Sequence, residues 1–499
     1  MNLIERAIVA VAPRWAEGRA RSRAVVAHYD AATVGRRSSS IRGDRTDADA
    51  ASRKRQMMAA YSRDMVRNTP FATRAQAVIS GNVVGDGILP KVQIRAGRKL
   101  SDDLAKRIRA KGLARIEALF DTVEIDRQKR NNLYGLQRLV MNTVVDAGEC
   151  LIRFYPGGDA KGSLPLELDV LEPDYLDTSK LSFVAEGGEI RDGIEYDAEK
   201  RRVAYWLFPE HPGGDWSPGM RRVISERVPA EELLHIYRMD RPGQQRGVTW
   251  FAPVMLRLQD LDDHEDAQLM RQKIAACFAA FRVLGDAGTE RAVPDTIMPG
   301  MIYDLGDGED VKFAAPPGVE GYDEFTRSVL RSVAAGMGLS YEALSGDLAQ
   351  VNFSSARMGR IEMDQNVSGW QWLMLIPQLL HPIGKRFIDA WAAVDAAEMA
   401  EAGIPDDIWD DLFVSWVPPR RVIVDPAREF SALQEAVRAG FASRQQVVRQ
   451  LGVDPERLLE EIAQDRVEAD ALDLIFDSDP RSDLGRSPQV KPKETKTDE

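Results

Sequence analysis

The sequence predicts an α+β protein, and three observations carry that expectation. Residues 150–240 alternate apolar and polar side chains with period two, residues 252–282 and 321–337 repeat apolar side chains at helical spacing, and the segment after 420 is punctuated like a set of short helices. Strands and helices are thus segregated along the chain rather than interleaved, which separates α+β from a doubly wound α/β sheet.

The strands come first. Cys150, Ile152 and Phe154 alternate with Leu151, Arg153 and Tyr155, while Leu164, Leu166, Leu168 and Val170 hold one face. Val203, Tyr205 and Leu207 continue the pattern beyond Asp197-Ala198-Glu199-Lys200, which reads as a hairpin turn and makes the sheet largely antiparallel. Upstream, Gly81, Gly85 and Gly87 mark tight turns, since neither GxGxxG nor GxxxxGK[S/T] surrounds them.

A helix over 252–282 would be about 45 Å long at 1.5 Å per residue. Its apolar positions fall into two stripes, Val254, Leu258 and Leu261 on one face and Met270, Ile274, Cys277, Phe278 and Phe281 on another. Between them lie Asp260, Asp262, Asp263, Glu265 and Asp266, a like-charged stretch that calls for water or basic neighbours. Short strands at Met301-Ile302-Tyr303 and Val311-Lys312-Phe313 flank a Gly306-Asp307-Gly308 turn, and a second helix places Phe325, Val329, Leu330, Val333 and Met337 on one side. After a loop at about 339–354, a long helical stretch runs from Ser355 toward Ala397, where Pro377 and Pro382 should bend or break it. Asp425-Pro426, Gly440, Ser443, Gly452 and Asp454-Pro455 then punctuate a compact helical module, and past Phe476 the composition is that of a disordered tail.

Composition bounds the function. The chain has 499 residues, 44% apolar and 29% charged, enough for about three folding units. No stretch reaches the ~18 apolar residues of a membrane helix, and Cys150 and Cys277 sit in apolar segments without metal-ligand spacing, as expected in a reducing compartment. The net charge of −12 is uneven: residues 1–75 hold 15 Lys/Arg against 7 Asp/Glu, or +8, leaving −20 for the rest. Such a basic arm either binds nucleic acid or docks on acidic neighbours, while the acidic body argues against tight sequence-specific DNA binding.

Convergent catalytic chemistry is missing from the sequence. His28, His211, His235, His264 and His381 are dispersed, and there is no GxSxG elbow and no Walker A loop. Two segments remain as candidates. The Asp260–Asp266 cluster is the one enzymatic option, as a Mg²⁺ site for phosphodiester cleavage, against a solvated or intersubunit polar face. Gln350-Val351-Asn352-Phe353-Ser354-Ser355-Ala356-Arg357 is a polar loop entering a helix, either a helix cap through Asn352 or Ser354 or a loop that touches a nucleic-acid backbone.

Seven strings in order carry a resemblance: Asn82-Val83-Val84-Gly85-Asp86-Gly87-Ile88, Asp146-Ala147-Gly148-Glu149, Leu171-Glu172-Pro173-Asp174, Gln245-Arg246-Gly247-Val248, Pro299-Gly300-Met301-Ile302, Gly346 to Arg357, and Trp416-Val417-Pro418-Pro419-Arg420. The chain resembles the lambda-like branch of the tailed-phage portal family from about residue 55 to 460. The resemblance implies the portal fold, with a basic arm and start of the wing at 1–75, a strand-rich wing at 76–249, a stem helix at 250–283 and a clip at 284–320. A second stem helix at 321–338, a tunnel loop and kinked wing helix at 339–419, a helical crown at 420–475 and a tail at 476–499 complete the plan. It implies a virion protein without cofactor, metal or catalytic site, forming a ring of about twelve copies. That ring would pass double-stranded DNA non-specifically, and the expected partners are the terminase large subunit, a head–tail adaptor, and the major capsid and scaffolding proteins, with no membrane. On this plan Gln350, Val351, Asn352, Phe353, Ser354, Ser355 and Arg357 lie nearest the DNA. The acids Asp260, Asp262, Asp263, Glu265 and Asp266 form a stem face, and Met301, Tyr303, Asp307 and Lys312 meet the clip's partner. A metal-dependent nuclease and a scaffold-like capsid adaptor stand as the alternatives.

Overall fold

In a computed structural model the described residues lie between 54 and 474, with internal stretches left out, notably 214–223, 277–279, 284–309, 314–320, 350–352, 420–425 and 451–454. The first packed elements are helices α1 (Arg55–Asn68) and α2 (Pro70–Val83), then strand β1 (Leu89–Ile94), α3 (Asp102–Leu119) and α4 (Leu133–Ala147). Residues 76–147 are therefore mainly helical, not strand-rich as expected. The cause is local: Ser101 accepts from Leu104 N at 3.3 Å, Asn132 accepts from Gly135 N at 2.9 Å, and Gly148 closes α4 in the left-handed region at φ 93°. Gly81 is helical within α2, whereas Gly85 and Gly87 do make turns, at φ 56° and 130°.

The strands begin where the period-two pattern begins. Strand β2 (Glu149–Tyr155) is the centre of a three-stranded antiparallel sheet between β3 (Glu167–Leu171) and the later β9 (Leu233–Tyr237). A second antiparallel sheet runs β4 (Ser182–Phe183), β5 (Glu189–Arg191), β6 (Ile194–Tyr196), β7 (Arg202–Leu207) and β8 (Glu226–Pro229) in sequence order. The β6–β7 connection is the expected turn, with Lys200 N donating to Asp197 O at 3.1 Å and Lys200 at φ 63°. Strand β2 is buried on both sides and so separates two cores. Cys150, Ile152 and Phe154 enter the large one, and Leu151 joins Leu171, Ile194, Tyr205 and Val228 in the small one. Burial pushes the Cys150 thiol far up, in keeping with an inert side chain.

The long helix is shorter than the sequence suggested. Helix α5 (Met255–Ala276) has 22 residues, about 33 Å, and Ala280–Val283 forms strand β10 against β11 (Asp310–Phe313), with Phe281 opposite Lys312. The first apolar stripe is real, since Val254, Leu258 and Leu261 are buried. The second is not a helical stripe: Met270 is exposed and Phe281 belongs to a strand. Helix α6 (Tyr322–Met337) packs on α5 through Leu330, Val333, Ala334 and Met337.

After the short helix α7 (Tyr341–Ser345), the chain is helical from Phe353 to Glu401 without interruption. Helix α8 (Phe353–Trp370) widens into a π-helical stretch (Gln371–Leu380) before α9 (His381–Glu401). Pro377 does not break the helix, because it lies in the wider turns. A five-residue hydrogen-bond step relieves the clash of its ring with the preceding turn. Pro382 lies in the same continuous helix, just past the π-helical stretch, and does not break it either. Strand β12 (Leu412–Val417) then returns to pair antiparallel with β1, Leu89 opposite Val417 and Ile94 opposite Leu412.

Helices α10 (Pro426–Arg438), α11 (Arg444–Gln450) and α12 (Pro455–Ala471) start where the punctuation places them, and Ser443 accepts from Gln446 N at 3.0 Å. Compactness was the wrong expectation, because none of the described residues from 426 to 474 is buried.

Candidate functional site

The stem acids, the loop after α7 and the motif strings are the places to look for function. On α5, Asp260, Asp262, Asp263 and Asp266 point to solvent, and Glu265 is half-buried where Tyr322 donates its hydroxyl at 3.3 Å. His264 packs beside that contact, its ring 5.9 Å from Tyr322 and 4.6 Å from Phe325. Four of the five acids therefore face solvent, and Glu265 faces α6. Close approach of the two helices is enforced at Gly336, where a Cβ would lie 2.4 Å from Val254 Cγ1.

The loop after α7 is anchored on its near side. Ser340 accepts from Ala343 N at 3.2 Å to start α7, and Gly346 ends it in the left-handed region at φ 73°. Asp347 then accepts from Ala349 N at 3.0 Å and from the Tyr341 hydroxyl at 3.1 Å, with the Arg327 guanidinium of α6 at 3.8 Å. Those donors hold the Asp347 carboxylate below its ordinary range, the backbone bond first among them. Arg74 of α2 donates Nε to Ala343 O at 2.9 Å, and Arg331 of α6 stacks over the Tyr341 ring. Gln350, Val351 and Asn352 lie outside the described residues. Phe353, Ser354 and Ser355 form the first turn of α8, and Arg357, half exposed, is 3.8 Å from Glu429 of α10. Of the expected clip contacts, Lys312 sits on β11, and Met301, Tyr303 and Asp307 lie outside the described residues.

The motif strings turn out to meet one another. A Cβ on Gly247 would stand 2.1 Å from Gly148 O, and one on Gly148 would stand 2.3 Å from the Val248 carbonyl carbon, so two backbones are in direct contact there. Beside them Glu149 accepts from Gly247 N at 2.8 Å and lies 2.9 Å from His235 Nε2, both side chains almost fully buried. Likewise Gly85 abuts Pro419, Gly87 abuts Tyr134, and Gln137 brackets Ile88 by donating to its carbonyl at 3.0 Å and accepting from its N–H at 2.8 Å. These contacts hold the body of the fold together.

One cluster was not anticipated. Arg63 of α1 donates to Asp174 at 2.6 Å and lies 3.4 Å from Glu172, whose other neighbour is His211 at 3.1 Å. Among the described residues, Glu172, Asp174 and His211 are the one group whose ligand atoms gather within 4.8 Å. The guanidinium already answers both carboxylates, so the donor set fits an internal ion pair rather than a cation. Nearby, burial pushes the Asp146 carboxyl up to about 7, against the pull of Arg63, while Gln76 donates to it at 3.2 Å. The signal in the sequence was present, as Asp146, Glu172 and Asp174 all belong to the motif strings, but their partner Arg63 lies 83 to 111 residues away.

The family follows from comparison with known proteins. The model of the phage portal protein, lambda family, matches residues 34–371, and the chain belongs to that family. It is 25% identical over 426 residues to the probable portal protein of Halomonas phage phiHAP-1, covering 81% of this chain and 79% of the relative. It is 20% identical over 460 residues to the portal protein of Escherichia phage N15, covering 82% and 84%. With portal protein B of Escherichia phage lambda the match is 26% over 199 residues, 34% of this chain and 37% of that one. Among solved structures it is similar to the neck of a native gene transfer agent particle computed with C12 symmetry, at a TM-score of 0.45 and 14% identity, covering 79% of this chain and 94% of that one. An HK97-family phage portal protein from Corynebacterium diphtheriae matches at a TM-score of 0.31 and 9% identity, covering 74% and 97%. The chain is thus a phage portal protein of the lambda family, and its described residues form a mixed α+β architecture.

Proposed function

We propose that twelve copies close into a ring, in the virion at the portal vertex, whose axial channel passes double-stranded DNA without reading its sequence. In this reading α5 and α6 form the stem, residues 284–320 the clip, and Gln350, Val351, Asn352, Phe353, Ser354, Ser355 and Arg357 the collar nearest the DNA. The clip docks the terminase large subunit during packaging and the head–tail adaptor afterwards, while the outer body meets the major capsid and scaffolding proteins. No catalytic step belongs to the chain, and the packaging energy comes from the motor.

The observation that carries this reading is the family match across residues 34–371, which takes in both stem helices and the whole collar. Physical chemistry supports the collar. A channel must let DNA slide, and Gln350, Val351 and Asn352 offer uncharged contacts that avoid the salt-dependent grip of several Lys/Arg per subunit. The anchored base at Asp347 ties that collar to the stem helix through Arg327. The nuclease alternative lacks support, because the α5 acids are not among the described groups whose ligand atoms converge.

The test is mass determination with negative-stain imaging of the purified protein. Twelve copies of 55.6 kDa give about 670 kDa and a closed ring with a duplex-sized hole. A monomer whose Mg²⁺-dependent DNA cutting is lost in Asp262→Asn would overturn the reading in favour of the nuclease.

A further inference from the structure

Helices α10, α11 and α12 have 13, 7 and 17 residues, and an isolated helix shorter than ~12–15 residues is marginal in water. Stability must come from packing, yet no described residue of this block is buried. The sequence is nevertheless patterned for burial. Leu459, Ala463, Val467 and Ala471 follow one another at four-residue spacing along α12, and Phe441, between α10 and α11, is 87% exposed. Charge is divided too. Residues 426–450 hold four Arg and two Glu, or +2, whereas α12 holds two Arg and six Asp/Glu, or −4.

We propose that α12 of one copy packs on the α10–α11 surface of the next copy around the ring. This rests on the ring reading above and assigns one of its contacts. The charge division selects the surfaces, since α12 against α12 would set −4 against −4 while α12 against α10–α11 sets −4 against +2, and the head-to-tail form of that pairing is the one that repeats around a closed circle. A second copy fits better than the chain's own tail, because residues 476–499 offer almost no large apolar side chains to meet Phe441 and Val467. The Arg357–Glu429 contact ties α10 to the first turns of α8, so the proposed interface adjoins the collar helix.

Two variants of the full chain test this by complementation. Glu461→Lys with Asp465→Lys and Glu468→Lys turns α12 from −4 to +2, and Arg438→Glu with Arg444→Glu turns the opposing surface from +2 to −2. Ring dissociation on dilution is followed by mass photometry at low salt for wild type, for each variant and for an equimolar mixture. Each variant alone should dissociate at a concentration at least tenfold higher than wild type, since it sets like charges together. The mixture should return toward wild type, because alternating copies pair every reversed α12 with a reversed acceptor. Unchanged midpoints for the single variants overturn the proposal, as does failure of the mixture to recover, which a contact within one chain or a misfolded variant would give. A wild type that forms no ring at any concentration removes the ring reading itself, and the proposal with it.

Discussion

Asp146 occupies a place where ionising a carboxyl is costly. Unfolded it titrates near 3.8, and in the fold burial raises it to about 7. Between those values the folded chain holds a proton that the unfolded chain has released, so this group's contribution to stability is full below pH ~4 and is lost as pH rises through about 7. Asp146→Asn removes the charge and keeps an acceptor for Gln76. Urea midpoints at pH 8 should show the variant more stable than the parent by about 2–4 kcal/mol, with the gap closing by roughly pH 4–5. Gly247 is a second residue with a sharp expectation. With a Cβ 2.1 Å from Gly148 O, Gly247→Ala should cost about 3 kcal/mol or more in thermal or urea unfolding. Gly369→Ala meets nothing within 4 Å on a helix and should gain up to about 1 kcal/mol, which makes it the control.

Elements were legible to the extent that their apolar residues kept one clear period. Strands β2, β3 and β7 were readable from their period-two alternation, which in β2 divides side chains between two cores, and α6 because Leu330, Val333, Ala334 and Met337 keep helical spacing on one stripe. The end of α5 was not readable: Ala275 to Val283 is a run of small and aromatic residues that fits either period. Helices α3 and α4 did carry caps at Ser101 and Asn132, signals lost behind the stronger strand pattern downstream. The collar was legible as a string but not in its support. Nothing local in the sequence says that Asp347 would be reached by Arg327 and Tyr341, or that Arg74 would seal Ala343, since those meetings are tertiary. With that base described, deletion of Gln350 to Ser354 should leave ring mass and melting temperature unchanged while lowering packaged DNA or its retention. Loss of the ring itself would instead make the segment a structural cap for α8.

At the scale of the molecule, residues 76–499 carry −20 and residues 1–75 carry +8. In the proposed ring, an acidic wall would repel a duplex from every side at once and so centre it, without the tight phosphate contacts that would stall it. The body is closed by one long-range pairing, β1 with β12, whose partners lie more than 300 residues apart. That closure bears on synthesis. At about 5–20 residues per second, a ribosome needs roughly 16–60 s to travel from Ile94 to Leu412, and for that time β1 waits with an open edge. The nascent chain thus carries an unpaired β1 edge until Leu412–Val417 has been made, and the step that closes the body comes late in translation.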